Sequence, residues 1–262
     1  NNGTFTPQAG NVSFTGNSAQ SMGGTTATTF YNLTVNKGNS SELSFANAGT
    51  ITNLLSLTNG YVVTNAAKIL ILADLADDSP RGGSATSFVR GPVKKVGQSV
   101  GEGSPYTFLF PIGKGNIWGR LYMLHWSGTT AVTDAFTAEY FNTGYGNYGV
   151  NAPLNHVSTL EYWDLAKNSG AAGLNKKVRL YSEDINRSAI TAYNNTDLTV
   201  AHWNGTQWDD IDNPTTGNNS GATTPAGWIT SNFTSNFSPF TFRSSSAANP
   251  LPVELLSFDA KI

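Results

Sequence analysis

Ser87-Phe-Val-Arg-Gly-Pro-Val-Lys-Lys-Val-Gly97, followed after a polar break by Tyr106-Thr-Phe-Leu-Phe-Pro-Ile-Gly-Lys114, divides two segments with different hydrophobic patterns. Before it the apolar runs are short: Thr4-Phe-Thr6, Val12-Ser-Phe14, Tyr31 to Val35, Leu43-Ser-Phe45, Ile51 to Leu57, Tyr61-Val-Val63 and Ile69 to Leu72. Between them stand Asn36-Lys-Gly38, Asn47-Ala-Gly49 and Asn59-Gly60, where Gly or Asn supplies the positive φ of a turn. The larger clusters recur every roughly 20 to 25 residues, the coil length of a β-solenoid. One face of each strand would fill the inner stack and the other would meet solvent; a meander or sandwich would use the same alternation.

Beyond the junction the strands lengthen and gain aromatics. Arg120 to Trp126, Val132 to Tyr140, Val157 to Leu165, Lys177 to Tyr181, Leu198 to Trp203, Thr206 to Ile211, Trp228 to Thr230 and Phe237 to Phe242 read as strands of an antiparallel sandwich. Asp212 to Ala226, rich in Asn, Gly and Thr, reads as a loop at a sandwich end. The expected fold is therefore all-β: a β-solenoid-like region over 1–85, an antiparallel β-sandwich over 86–246, and a linker with a C-terminal strand over 247–262. In that last strand Leu256, Phe258, Ala260 and Ile262 share one face, and Val253 and Leu255 the other. A strand with two partly apolar faces must pair, within the chain or with a neighbour.

Composition narrows the function. Only 12% of the 262 residues are charged and the formal net charge is −2, so there is no electrostatic footprint for nucleic acid or an anionic membrane surface. Cysteine is absent, which removes disulfides and thiolate metal sites. No run of roughly 18 apolar residues predicts a membrane-spanning helix. The chain opens at Asn1-Asn2-Gly3 without a charged and apolar leader, so an exported chain would already have lost its signal peptide.

Several stretches together resemble a known family. Phe30-Tyr-Asn-Leu-Thr-Val35, the Leu57-Thr-Asn-Gly60 turn, Phe88-Val-Arg-Gly-Pro-Val93, Phe110-Pro-Ile-Gly-Lys114, His156 to Trp163, Trp203-Asn-Gly-Thr-Gln-Trp208 and above all Leu251-Pro-Val-Glu-Leu-Leu-Ser-Phe258 resemble the non-catalytic β-rich region of Bacteroidetes secreted and surface proteins. Such proteins use the type IX export system and carry the Leu-Pro-Val-Glu-Leu motif ahead of a C-terminal sorting region. The resemblance implies an extracellular or cell-surface place, an adhesive or structural role, no catalytic residues to carry over and, since the sequence stops shortly after that motif, removal of the sorting domain during maturation.

His125, His156 and His202 show no metal-ligand spacing. The serines lack a nucleophile-elbow context, and Gly144 to Gly149 lacks the lysine and helix of a phosphate loop. Glu139, Glu161 and Asp164 lie on expected strands and are the carboxylates a glycoside hydrolase would draw on. Asp209, Asp210 and Asp212 offer oxygen ligands for calcium, without the glycine or closing glutamate of an EF-hand. Trp203, Trp208, Trp228, Tyr145 and Tyr148 are the aromatic material for a glycan platform, with Tyr145, Tyr148 and Trp208 the sharpest choice.

The expectation is thus a non-enzymatic structural or adhesive surface protein with no cofactor. Its partners would be copies of itself in a filament or sheath, other surface components, or glycans. Val253, Leu255, Leu256, Phe258, Ala260 and Ile262 would form the strand between subunits. A carbohydrate-binding module of a larger secreted protein is the alternative.

Overall fold

The computed structural model describes residues 1–73, 81–97, 106–125, 134–170, 176–183, 188–190, 197–211, 219–223, 226–237, 239–245 and 251. Among them the strands form three sheets. The long sheet begins with β1 (Asn11–Gly16), β3 (Thr28–Lys37), β5 (Gly49–Asn59), β7 (Leu70–Leu72) and β10 (Val93–Val96), all parallel. It continues with β15 (Ala135–Phe141), β17 (Tyr162–Ser169), β23 (Phe240–Ser244), β19 (Leu198–Trp203) and β20 (Trp208–Asp210), all antiparallel. Two short strands lie off this path: β8 (Arg81–Gly82) pairs with β5 and β16 (His156–Val157) with β23.

A second sheet stacks β2 (Gln20–Met22), β4 (Glu42–Phe45), β6 (Tyr61–Val63), β9 (Val89–Arg90) and β12 (Ile112–Lys114) in parallel, with β13 (Ile117–Trp118) closing a hairpin. The chain alternates between this sheet and the long one, completing about four solenoid turns. Asn11 pairs with Asn32 and Thr28 with Gly49, 21 positions on; the offset ranges from 19 at Glu42–Tyr61 to 27 at Val62–Val89. The third sheet, β11 (Tyr106–Phe110), β14 (Leu121–His125), β18 (Lys177–Ser182), β22 (Ala226–Thr230) and β21 (Asn219–Thr223), is antiparallel. It packs on the antiparallel half of the long sheet as a sandwich.

The 87–114 stretch explains how these parts join, because its successive strands enter three different sheets. β9 lies in the second sheet, β10 in the long sheet, β11 in the third, and β12 returns to the second. β10 takes parallel partners on one side, Val93 to Leu70, and antiparallel ones on the other, Val93 to Ala138. The corner between β9 and β10 requires Gly91: its φ is +127°, and a Cβ there would lie 2.4 Å from the Thr64 carbonyl oxygen.

Alternation builds the interior. Leu33, Val35, Ile51, Leu55 and Leu57 of the long sheet meet Leu43, Phe45 and Val62 of the second. Each such side chain contributes about 1.5–3 kcal/mol by leaving water. The same apolar cluster runs on into the sandwich through Phe110, Trp163, Leu180 and Phe240, so solenoid and sandwich share one core. Gly119 admits a close approach in this core: a Cβ there would fall 2.1 Å from the Tyr140 ring, and its carbonyl accepts the Trp163 indole N–H at 2.7 Å.

Four local expectations change. Val157 to Leu165 is not one strand, since residues 158–161 separate β16, which pairs with β23, from β17, which pairs with β15. Thr4 to Thr6 is not a strand. Met22 ends a strand, β2, that its polar neighbours conceal. The region from Asp212 to Ala226 is not all loop, since Asn219–Thr223 forms β21 in a hairpin with β22. Among the described residues no helix is long and apolar enough to cross a membrane.

Candidate functional site

β15 and β17 turn Tyr140 and Trp163 inward, and this parity sends Glu139, Phe141, Tyr162 and Asp164 to the outer face of the long sheet. Phe141 lies opposite Tyr162 with rings parallel, centroids 4.5 Å apart and interplanar angle 3°. Lys114 Nζ lies over the Phe141 ring, 5.8 Å from its centroid, and Tyr145 meets Tyr162 edge-on at 5.2 Å.

Of the expected platform residues, Trp208 is 1% exposed and donates its indole N–H to the Asn147 carbonyl at 2.8 Å. Tyr148 is half-buried and packs with Leu154, Val157 and Trp208 in a small outer cluster. Tyr145 is 37% exposed, wedged among Tyr162, Trp203 and Trp208. The structure thus brings the three together as a buried support beneath one exposed ring. Trp228 lies away from them, on the third sheet.

Beside the rings Glu139 and Asp164 face each other across the strand pair. Lys114 Nζ lies 3.7 Å from Glu139, whereas Asp164 Oδ1 is buried without a hydrogen-bond partner. Burial pushes the Glu139 carboxyl above its usual range, with Asp164 adding to the rise and Lys114 opposing it. Burial alone pushes Asp164 up. The Tyr162 phenol is also raised, by burial first and then by Asp164, Tyr145 and Glu139. Two carboxyls kept where charging them is costly are more usual of a functional surface than of a structural one. Glu161 does not join them: it is buried and accepts hydrogen bonds from Tyr140 Oη at 2.8 Å and Ser188 Oγ at 2.5 Å.

The remaining candidates are engaged elsewhere. Asp209 accepts from Asn204 Nδ2 at 2.8 Å and from Asn151, and Asp210 pairs with Arg243. Asp212 lies outside the described residues, among which no group of three or more His, Asp or Glu is placed to hold a metal ion. His202 is buried against Phe240 at 5.2 Å, and His156 Nδ1 pairs with Asn155 Oδ1 at 3.1 Å.

The ends of the long sheet form a second candidate. At β20 the 149–151 segment bridges the outward position, because Trp208 N donates to Gly149 O at 2.8 Å and Asn151 N to Trp208 O at 2.9 Å. At β1, among the described residues, the strand pairs with β3 alone. Gly10 and Gly16 carbonyls accept from Asn32 and Gly38. By the alternation of a parallel ladder, the backbone groups of Asn11, Ser13 and Thr15 then point away from β3. Val12 and Phe14 beside them are half-buried against the core. The expected intersubunit strand, Val253 to Ile262, lies outside the described residues.

Sequence reasoning named neither Phe141 and Tyr162 as a pair nor β1 as the open edge. Parity counted outward from the buried Tyr140 and Trp163 would have found the first; the second needs the strand order of the whole sheet. The chain matches no known protein family, and no curated protein or solved structure matches it either.

Proposed function

We propose that the chain is an extracellular, non-enzymatic structural protein of a cell surface, and that its subunits join by strand addition at β1. The asymmetry of the long sheet's two ends carries this reading. Proteins cover or interrupt sheet edges that must not pair. The 149–151 segment covers β20, whereas β1 offers outward backbone donors and acceptors at Asn11, Ser13 and Thr15.

A strand donated from another copy would satisfy those groups, as in other strand-addition complexes. The donor is the alternating segment Val253 to Ile262, whose apolar faces call for pairing. A head-to-tail contact of this kind gives a filament when its rotation does not close a ring. The extracellular place rests on the resemblance carried by Leu251 to Phe258.

Negative-stain electron microscopy of the full chain tests this beside two variants, Ser13→Pro and a chain ending at Ser246. Proline at Ser13 removes an outward N–H and leaves the β1–β3 ladder whole. Filaments from the full chain that vanish in both variants are the expected result. Filaments that persist in Ser13→Pro would refute strand addition at β1.

A further inference from the structure

The outer face of the third sheet answers the carboxylate face of the long sheet. In β14, β18 and β22 the residues Leu121, Leu180 and Ile229 enter the core. Parity therefore sends Tyr122, Arg179, Tyr181 and Trp228 outward. The Arg179 guanidinium carbon lies 3.9 Å over the Trp228 ring, and Nε donates to Thr230 Oγ1 at 2.8 Å. Stacking and this bond fix the plane of the guanidinium and leave its two terminal nitrogens for an acceptor. Among the described residues no carboxylate pairs with Arg179. Arg120, by contrast, is held between Trp118 and Tyr181, at 4.2 and 3.9 Å, and pairs with Glu183. Lys177, on the same face of β18, lies over Phe233 at 5.1 Å.

The two faces are thus deficient in opposite ways. Among the described residues a half-buried guanidinium lacks a carboxylate on one side of the sandwich, and a half-buried carboxylate, Asp164, lacks a cation on the other. We propose that one copy of this chain packs laterally on a second copy, the Arg179–Trp228 face of the first receiving the Asp164–Tyr162 face of the second. Charge complementarity selects this occupant, since both missing partners exist on the same chain. An acidic saccharide fits less well, because the Trp228 and Tyr181 ring faces it would stack on already carry guanidiniums. Because the faces lie on opposite sides of one sandwich, the contact is heterologous and repeats from copy to copy, open wherever its rotation does not close a ring. It is independent of strand addition at β1, and would bind filaments side by side into a layer.

Charge reversal in the full chain, carrying Ser13→Pro to silence the β1 edge, isolates this contact. Sedimentation velocity over a concentration series should show reversible association that weakens with added salt. Arg179→Glu alone and Asp164→Arg alone should each weaken it at least about tenfold, as removal of one partner from a half-buried pair does. An equal mixture of the two variants should recover it, because the reversed face of one meets the reversed face of the other. The conservative pair Arg179→Gln and Asp164→Asn guards against misfolding: each alone should weaken association, and their mixture should form pairs through the intact Arg179 of one chain and Asp164 of the other without growing beyond them, whereas the mixture of reversals should grow further. A monomer at every concentration, association indifferent to either reversal, or a monomer whose Arg179 face instead retains polygalacturonate would each overturn the proposal.

Discussion

Asp164 and Glu139 hold carboxyls that burial keeps above their ordinary titration range, so in the folded chain they retain protons that the unfolded chain has released. Stability from this source is lost as pH rises through that window. Asp164→Asn should therefore raise the urea midpoint at neutral pH and leave it unchanged in acid below the ordinary carboxylate range; a loss of stability at neutral pH would show that the charge is compensated. Lys176 behaves in the opposite sense. Burial lowers its ammonium to about 8, against the attraction of Asp134, so the unfolded chain binds the extra proton between about pH 8 and 10.5. Stability should climb across that interval, and Lys176→Met should remove the climb in denaturation curves measured at both ends. At Gly119 there is no space for even a methyl group beside Tyr140. Gly119→Ala should cost about 1–3 kcal/mol by overpacking, read from chemical denaturation.

At the scale of elements, the strands that were legible in the sequence are those with alternating apolar residues and a glycine or asparagine turn at each end. β3, β4, β5 and β6 were read this way because a solenoid repeats the same physical task in every coil. β2 was not, since Gln20 and Ser21 are exposed on an edge where only Met22 reaches the core. β21 was hidden for a related reason: Asn219-Ser-Gly-Ala-Thr223 carries no apolar alternation, and its place is set by the ladder to β22. The candidate site was half legible. Tyr145 stood out because its Gly/Asn loop gives an aromatic ring little reason to be there, but Trp208 gave no sign that the 147–154 segment would cover it. Leu33 is fully buried between the two solenoid sheets. Leu33→Ala should cost about 2–5 kcal/mol in the same denaturation experiment, and should expose the sandwich as well if the shared core unfolds as one unit.

For the whole molecule, the continuity of the long sheet matters most. Parallel coils feed an antiparallel half through β10, and among the described residues the 12-stranded sheet that results has an end at β20 bridged by the 149–151 segment and an end at β1 paired with β3 alone. Growth by strand addition would extend such a sheet from molecule to molecule, with the low overall charge of 12% imposing little repulsion between copies. The absence of cysteine makes the contact easy to trap. The most direct measurement is oxidative cross-linking of Ser13→Cys with a second variant bearing a single cysteine at Glu254, Ser257 or Asp259 in turn. Strand addition predicts a disulfide between the two different chains, dependent on concentration and lost when the Ser13→Cys chain also carries Thr15→Pro, which removes another outward N–H of β1. A cross-link that forms only within one chain carrying both cysteines, or in no combination at all, would contradict it.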